Sequence, residues 1–152
     1  MTNGAAWGVL ILRVALGVIF IMHGYFGFAV VGVRGLAGII VRLGFPPGLV
    51  MLCAWALIVV HVVGGALIIA GLWTRIAAVA NIPIMMIAIA FIHYEQGFFT
   101  RAVIVDAAAG KAQPVGYEFP LLVLACAAAV AAIGGGPFSV DHARHTPGRH
   151  RR

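Results

Sequence analysis

Four long apolar runs constrain this chain more than any other feature of its sequence. A helix needs about 20 consecutive apolar residues, within a range of about 17–25, to cross the hydrocarbon core of a bilayer. Hydrophobic residues make up 63% of the 152 residues and charged residues only 9%, whereas a soluble domain has about half and a quarter. The sequence therefore excludes a water-soluble enzyme and predicts an all-α membrane protein with four transmembrane helices in an antiparallel bundle. The predicted spans cover residues 7–31, 49–72, 76–92 and 118–134.

Two connections between these spans have features of their own. After the first span, Leu36, Ile39 and Ile40 fall on one face of a helix that Gly44 and the following prolines would end. This spacing predicts a short helix at the membrane interface between spans one and two. Residues 93–118 are predicted to be a long polar connection between spans three and four.

Basic residues indicate the topology. The net charge is +6, and four arginines lie in the last nine residues, so residues 1–136 are predicted to be the transmembrane domain and residues 137–152 a basic tail. Four spans place both termini on one side, and basic residues favour the cytoplasmic side. The tail either sets this topology or contacts anionic lipid or an acidic partner. No basic stripe interleaved with aromatic residues is present, so nucleic-acid binding is not expected.

Ionisable and polar residues inside the spans need an explanation, because a charge at the bilayer centre costs about 2.5–3.5 kcal/mol or more. Arg13 is either an anchor that reaches the interface or part of a functional network. His23 and His61 either hold the bundle by hydrogen bonds or face a small molecule such as a quinone. Two histidines on neighbouring helices could ligate haem or a metal, with His93 as a candidate third ligand, but haem is disfavoured and no metal site is predicted. The intramembrane polar residues are Arg13, His61 and Asn81.

A second group of polar side chains lies where spans three and four meet the non-cytoplasmic side. Glu118 precedes Pro120 at a helix start, where a carboxylate is favoured by the helix dipole, so it either caps this helix or binds a ligand. The sequence predicts a polar pocket on this side that could take a quinone headgroup. Its candidate residues are His23, Tyr25, His93, Glu95, Tyr117 and Glu118.

Small residues recur along the predicted helices at positions suited to close packing. Without a hydrophobic force between helices in lipid, such residues let backbones approach one another. No nucleotide-binding glycine motif accompanies them. The predicted packing positions are Gly17, Gly24, Gly64, Gly65 and Gly71.

Several segments, taken in order over about 130 residues, resemble the DoxX family of small membrane proteins. They are RVALGVIFIMHGYFGF from Arg13, GGALIIAGLWTRIAA from Gly64, HYEQGFF from His93, and GYEFPLLVLA followed by GGGPFSVD. The chain departs from the family pattern at Gly27, where a lysine is common, and at His61, where a glutamate is common. It also carries the additional segment TRAVIVDAAAGKAQPV before the fourth span.

The resemblance implies four helices in a bacterial or archaeal cytoplasmic membrane and an association with redox systems. Relatives are described as subunits of a quinol oxidase or of a thiosulfate:quinone oxidoreductase. No nucleophile, base and orienting group can be combined from these residues, so an autonomous enzyme is not indicated. The sequence favours an accessory or scaffold subunit of a membrane redox complex, surrounded by lipid and other subunits. The alternatives are a quinone-interacting oxidoreductase component and a small-molecule transporter.

Overall fold

The computed structural model describes residues 1–106 and 111–145. Within these residues the chain forms six α-helices and one two-stranded hairpin. The helices are α1 (Asn3–Phe26), α2 (Val33–Arg42), α3 (Val50–Ala70), α4 (Thr74–Ala88), α5 (Glu118–Ile133) and α6 (Val140–His145), and the strands are β1 (Arg101–Asp106) and β2 (Lys111–Val115).

Three helical segments are long and apolar enough to cross a membrane, as predicted for the first three spans. α1 continues through a π-helical turn, which gives a segment of 29 residues, Asn3–Val31. α3 with its preceding 3-10 turn covers Pro47–Ala70, and α4 with its following turns covers Thr74–Gln96. The third span therefore begins at Thr74 rather than at residue 76. α5 is apolar but has only 16 residues, fewer than the roughly 20 that span a bilayer.

The helices pack in a continuous set, with α1 on α3, α3 on α4, and α4 on α5. α1 and α3 meet through glycines: a Cβ atom on Gly17 would lie 2.6 Å from the Gly65 carbonyl oxygen, and the reverse distance is also 2.6 Å. Backbone contact at this crossing excludes any larger side chain. The buried core comprises Leu16, Phe20, Ile68, Ala77, Ala78, Met85, Val123, Ala127 and Val130.

A short helix follows the first span, as the sequence predicts. α2 buries Leu36, Ala37 and Ile40 against α3 and exposes its other face, which is the pattern of an amphipathic helix. It ends at Arg42, and Gly44 then turns the chain with a φ of 83°.

The connection between α4 and α5 contains a hairpin that the sequence analysis did not predict. β1 and β2 pair antiparallel, with Arg101 opposite Val115. Backbone bonds from Tyr117 N to Gly97 O (3.1 Å) and from Glu118 N to Phe98 O (2.9 Å) close its base. The fold is therefore a helical bundle with a small β-hairpin at one end.

Candidate functional site

His61 lies in the interior of the bundle and is the centre of the first polar site. It is 3% exposed, and its Nδ1 atom is buried without a hydrogen-bond partner. The Leu57 carbonyl is a nearby acceptor whose geometry falls short of a hydrogen bond. The ring packs edge-on against Phe20, with centroids 5.2 Å apart. α1 and α3 come close together here, because residue 24 is a glycine. A Cβ atom on Gly24 would lie only 3.0 Å from the His61 Cβ.

His23 lies beside His61 but on the surface of the bundle. The two imidazole centroids are 6.2 Å apart. The structure therefore brings two of the sequence-predicted polar residues together. His23 is exposed although it lies within a membrane-spanning segment.

Asn81 is the third intramembrane polar residue and faces α3. It is fully buried, and its Nδ2 donates to Ala77 O (2.9 Å) and Val60 O (3.4 Å). Its Oδ1 has no partner. A Cβ atom on Gly64 would lie 2.6 Å from Nδ2, so the glycine makes room for this side chain.

The predicted outer pocket is represented in the structure by an aromatic cluster. Tyr94 and Tyr117 stack with centroids 5.9 Å apart, and Phe98 packs edge-on against Tyr117 at 5.4 Å. Glu118 is partly buried and is the first residue of α5. The structure places Tyr25 and Glu95 on the exposed surface. That all six candidate residues share one pocket stays a prediction.

Arg13 forms the second polar site, at the end of the bundle where α3 ends and α4 begins. It is 1% exposed, so its guanidinium is paired inside the protein and does not extend into solvent or lipid. Nε donates to Ile68 O (2.9 Å) and Nη2 to Ile69 O (2.8 Å), while Nη1 donates to Phe138 O (3.0 Å) and to Gly135 O. The first two acceptors belong to the last turn of α3, where carbonyls lack helical partners and the dipole favours a cation. We call these five residues the arginine clamp.

Asp141 joins the segment after α5 to the start of α4. Its Oδ1 accepts from Trp73 N (2.8 Å), and its Oδ2 accepts from Thr74 N (3.0 Å) and Thr74 Oγ1 (2.8 Å). It also interacts electrostatically with Arg13. The first residues of the predicted tail therefore pack against the bundle. Asp141 is not among the sequence-predicted site residues, although it is the only acidic residue of the sequence on the terminal side of the predicted bundle.

The chemistry available at the two sites differs. Arg13 directs four of its five N–H donors to backbone carbonyls. The histidine pair offers imidazole groups that donate and accept hydrogen bonds. Among the described residues, no group of three histidine, cysteine, aspartate or glutamate side chains is arranged to hold a metal ion.

Comparison with known proteins gives one match. The family model described as DoxX matches residues 8–94, which is more than half of the chain. The matched region contains Arg13, His23, His61 and Asn81. Searches of curated proteins and of solved structures found no match.

Proposed function

The chain belongs to the DoxX family of membrane proteins, and on that premise we propose that it is an accessory subunit of a quinone-linked redox complex in a prokaryotic cytoplasmic membrane. Its role is to bind and position other subunits within the bilayer. The redox association is the one that the family resemblance implies.

The proposed topology completes this role. α5 is the fourth span of an antiparallel bundle, with both termini in the cytoplasm. Its packing along α4 supports this arrangement. The bilayer thins around its 16 residues, or flanking residues such as Tyr117 extend its reach.

The exposed imidazole of His23 is the observation that carries the proposal. A polar side chain that faces hydrocarbon without a partner costs free energy, and polar residues in membrane helices face protein or water-filled cavities almost without exception. His23 lies within a span, is exposed, and adjoins His61, whose Nδ1 is unpartnered. A neighbouring subunit that covers this face would supply a hydrogen-bond partner for the exposed His23 imidazole.

The same pair of histidines favours a quinone-contacting role for this subunit as the alternative. A quinone is a lipid-soluble ring whose carbonyl oxygens accept hydrogen bonds, and neutral imidazole is a suitable donor. Phe20 and His61 are buried, so the exposed His23 imidazole is the group of this pair that a quinone on this face would contact. A quinone at this place would occupy the face that we assign to the partner subunit.

Purification from the native membrane in mild detergent tests the proposal. We expect the full chain to retain other membrane subunits, with an absorption spectrum that reports their redox cofactors. His23→Leu should reduce this retention, whereas His142→Leu, at an exposed position on α6, should not. A colourless protein that retains no other subunit would refute the accessory role, and retention of quinone alone would favour the alternative.

A further inference from the structure

A cavity of about 610 Å³ opens at the end of the bundle that holds the arginine clamp. Trp73, Arg75, Gly134, Asp141 and His142 are among its lining residues. The turn that joins α3 to α4 is only three residues long, 71–73, and it connects two membrane-spanning segments. The cavity therefore lies at the level where the bilayer meets water.

Arg75 gives this cavity a cation with donors to spare. Its side chain is exposed and makes one long hydrogen bond, from Nη2 to Ile133 O at 3.5 Å. Gly134 leaves room for the guanidinium, because a Cβ atom there would lie 2.9 Å from Arg75 Nε. A guanidinium has five N–H donors in a planar fork that matches the oxygens of a phosphate.

The acidic residue in the cavity does not oppose an anion. Both carboxylate oxygens of Asp141 accept hydrogen bonds from Trp73 and Thr74, and the carboxylate also interacts with Arg13. Its negative charge is therefore balanced within the protein. Arg75, together with the α-amino group of Met1, leaves the described lining of the cavity positively charged.

Trp73 provides a second, independent observation. It is the only residue other than glycine with a positive φ (47°) in the described part of the chain, and it is 60% exposed. A bulky residue in this conformation carries backbone strain, and here the hydrogen bond from Trp73 N to Asp141 Oδ1 (2.8 Å) holds the backbone so that the indole stays exposed at the cavity. Indole rings are enriched at the headgroup level of membranes. Ile76 and Ile133, both exposed, extend the cavity rim into the apolar helix faces where acyl chains would lie.

We propose that this cavity binds the headgroup phosphate of an anionic phospholipid, with Arg75 pairing with the phosphate and Trp73 packing against the glycerol backbone. The proposal goes beyond the redox role and does not depend on it. Basic pockets between membrane helices are known to select anionic lipids in this way.

The test uses the full chain in phosphatidylcholine nanodiscs that contain increasing amounts of phosphatidylglycerol. Retained lipid is measured by native mass spectrometry after release. We expect phosphatidylglycerol to be enriched over phosphatidylcholine on the protein, and Arg75→Gln to lower this enrichment about fivefold, since one arginine at the surface is worth about 1 kcal/mol. The matched control is Arg42→Gln, because Arg42 is also exposed and also makes one long bond to a carbonyl, from Nε to Gly38 O at 3.3 Å. Equal enrichment in the two variants would overturn the proposal.

Two further measurements separate lipid from free phosphate and test the part played by Trp73. Glycerol phosphate added to water should not displace the lipid, and displacement at millimolar concentration would mean that the site binds free phosphate rather than lipid. Trp73→Gly relieves the backbone strain, so we expect it to raise the melting temperature while it lowers lipid enrichment. A rise in melting temperature with unchanged enrichment would show that Trp73 has no part in lipid binding, and would overturn its assignment.

Discussion

Arg13 in the clamp and His61 in the histidine pair are both buried polar side chains of the same bundle, yet their hydrogen bonding is opposite. Arg13 donates four hydrogen bonds to carbonyls from α3 and from the segment after α5. His61 is nearly as buried, but its Nδ1 has no partner. Buried polar groups in native proteins are paired in the great majority of cases. The difference indicates that the clamp holds the structure together, whereas His61 does not hold it through a hydrogen bond from Nδ1.

The largest expected effect is the loss of the clamp. Arg13→Leu should lower the free energy of unfolding by at least about 3 kcal/mol, because each buried carbonyl left without a donor costs about 1–3 kcal/mol. The free energy of unfolding of Arg13→Lys should lie between those of the unchanged protein and Arg13→Leu. An ammonium group keeps the charge but lacks the planar fork that reaches several backbone segments. Thermal unfolding in mild detergent measures both, with Arg42→Gln as the control. A loss for Arg13→Leu no larger than for the control would remove the clamp as a structural element.

The next largest effect is expected at Gly71, where a comparison with Gly44 separates steric crowding at the clamp from backbone strain. Gly71 and Gly44 have φ values of 70° and 83°, so alanine is strained at both. A Cβ atom on Gly71 would also lie 2.7 Å from Arg13 Nη2 and 2.5 Å from Ser139 Cβ, whereas nothing lies within 4 Å at Gly44. We expect Gly71→Ala to cost about 1–3 kcal/mol more than Gly44→Ala. Equal melting temperatures for the two variants would contradict the close packing at Gly71.

A smaller effect is expected at Asp141. Asp141→Asn keeps one acceptor oxygen but loses the charge and one of the two oxygens that bind Trp73 and Thr74. We expect a loss of about 1.5 kcal/mol, the lower end of the range for hydrogen bonds to charged groups. Glu95→Gln, at an exposed position, is the control and should be neutral. If both changes leave the melting temperature unaltered, the segment after α5 is not held by this carboxylate.

The smallest effect on stability is expected at the histidine pair, where a substitution should not destabilise the bundle. His61→Leu removes a buried polar atom that has no partner, and replacing such a group with an apolar one is neutral or stabilising. We therefore expect a change of the melting temperature that is near zero or positive, together with reduced retention of other subunits. A loss of stability above about 2 kcal/mol would place His61 with the clamp as a structural group.

The sequence predicts the three long spans, the short helix after the first span and the polar residues inside the bundle. Hydropathy and spacing are enough for these features, because each depends on residues close together in the chain. The partners of Arg13 could not be predicted in the same way. They are backbone carbonyls of Ile68, Ile69, Gly135 and Phe138. Every residue has a backbone carbonyl, so residue types do not indicate which carbonyls accept the hydrogen bonds.

The hairpin and the histidine pair show two further limits. The β-branched residues in RAVIVD favour a strand, so the sequence did contain a signal for β1, but apolar residues between two spans are easily taken for part of a connection. The sequence placed His23 and His61 in successive antiparallel spans, but it did not predict that the two imidazole rings lie side by side. Their different burial depends on how α1 rotates against α3, which Gly24 and Gly65 determine through backbone contact.

The arginine clamp also sets an order of events during synthesis. Arg13 enters the membrane with the first helix, but two of its acceptors, Gly135 and Phe138, lie 122 and 125 residues later in the chain. At about 5–20 residues per second, the ribosome reaches them roughly 6–25 s afterwards. Until then the guanidinium is incompletely paired, so an unfinished chain differs chemically from a finished one. A chain that stops after Ile133 should therefore be degraded faster in a pulse-chase experiment than one that stops after His145, and equal lifetimes would show that the cell does not detect the unpaired arginine.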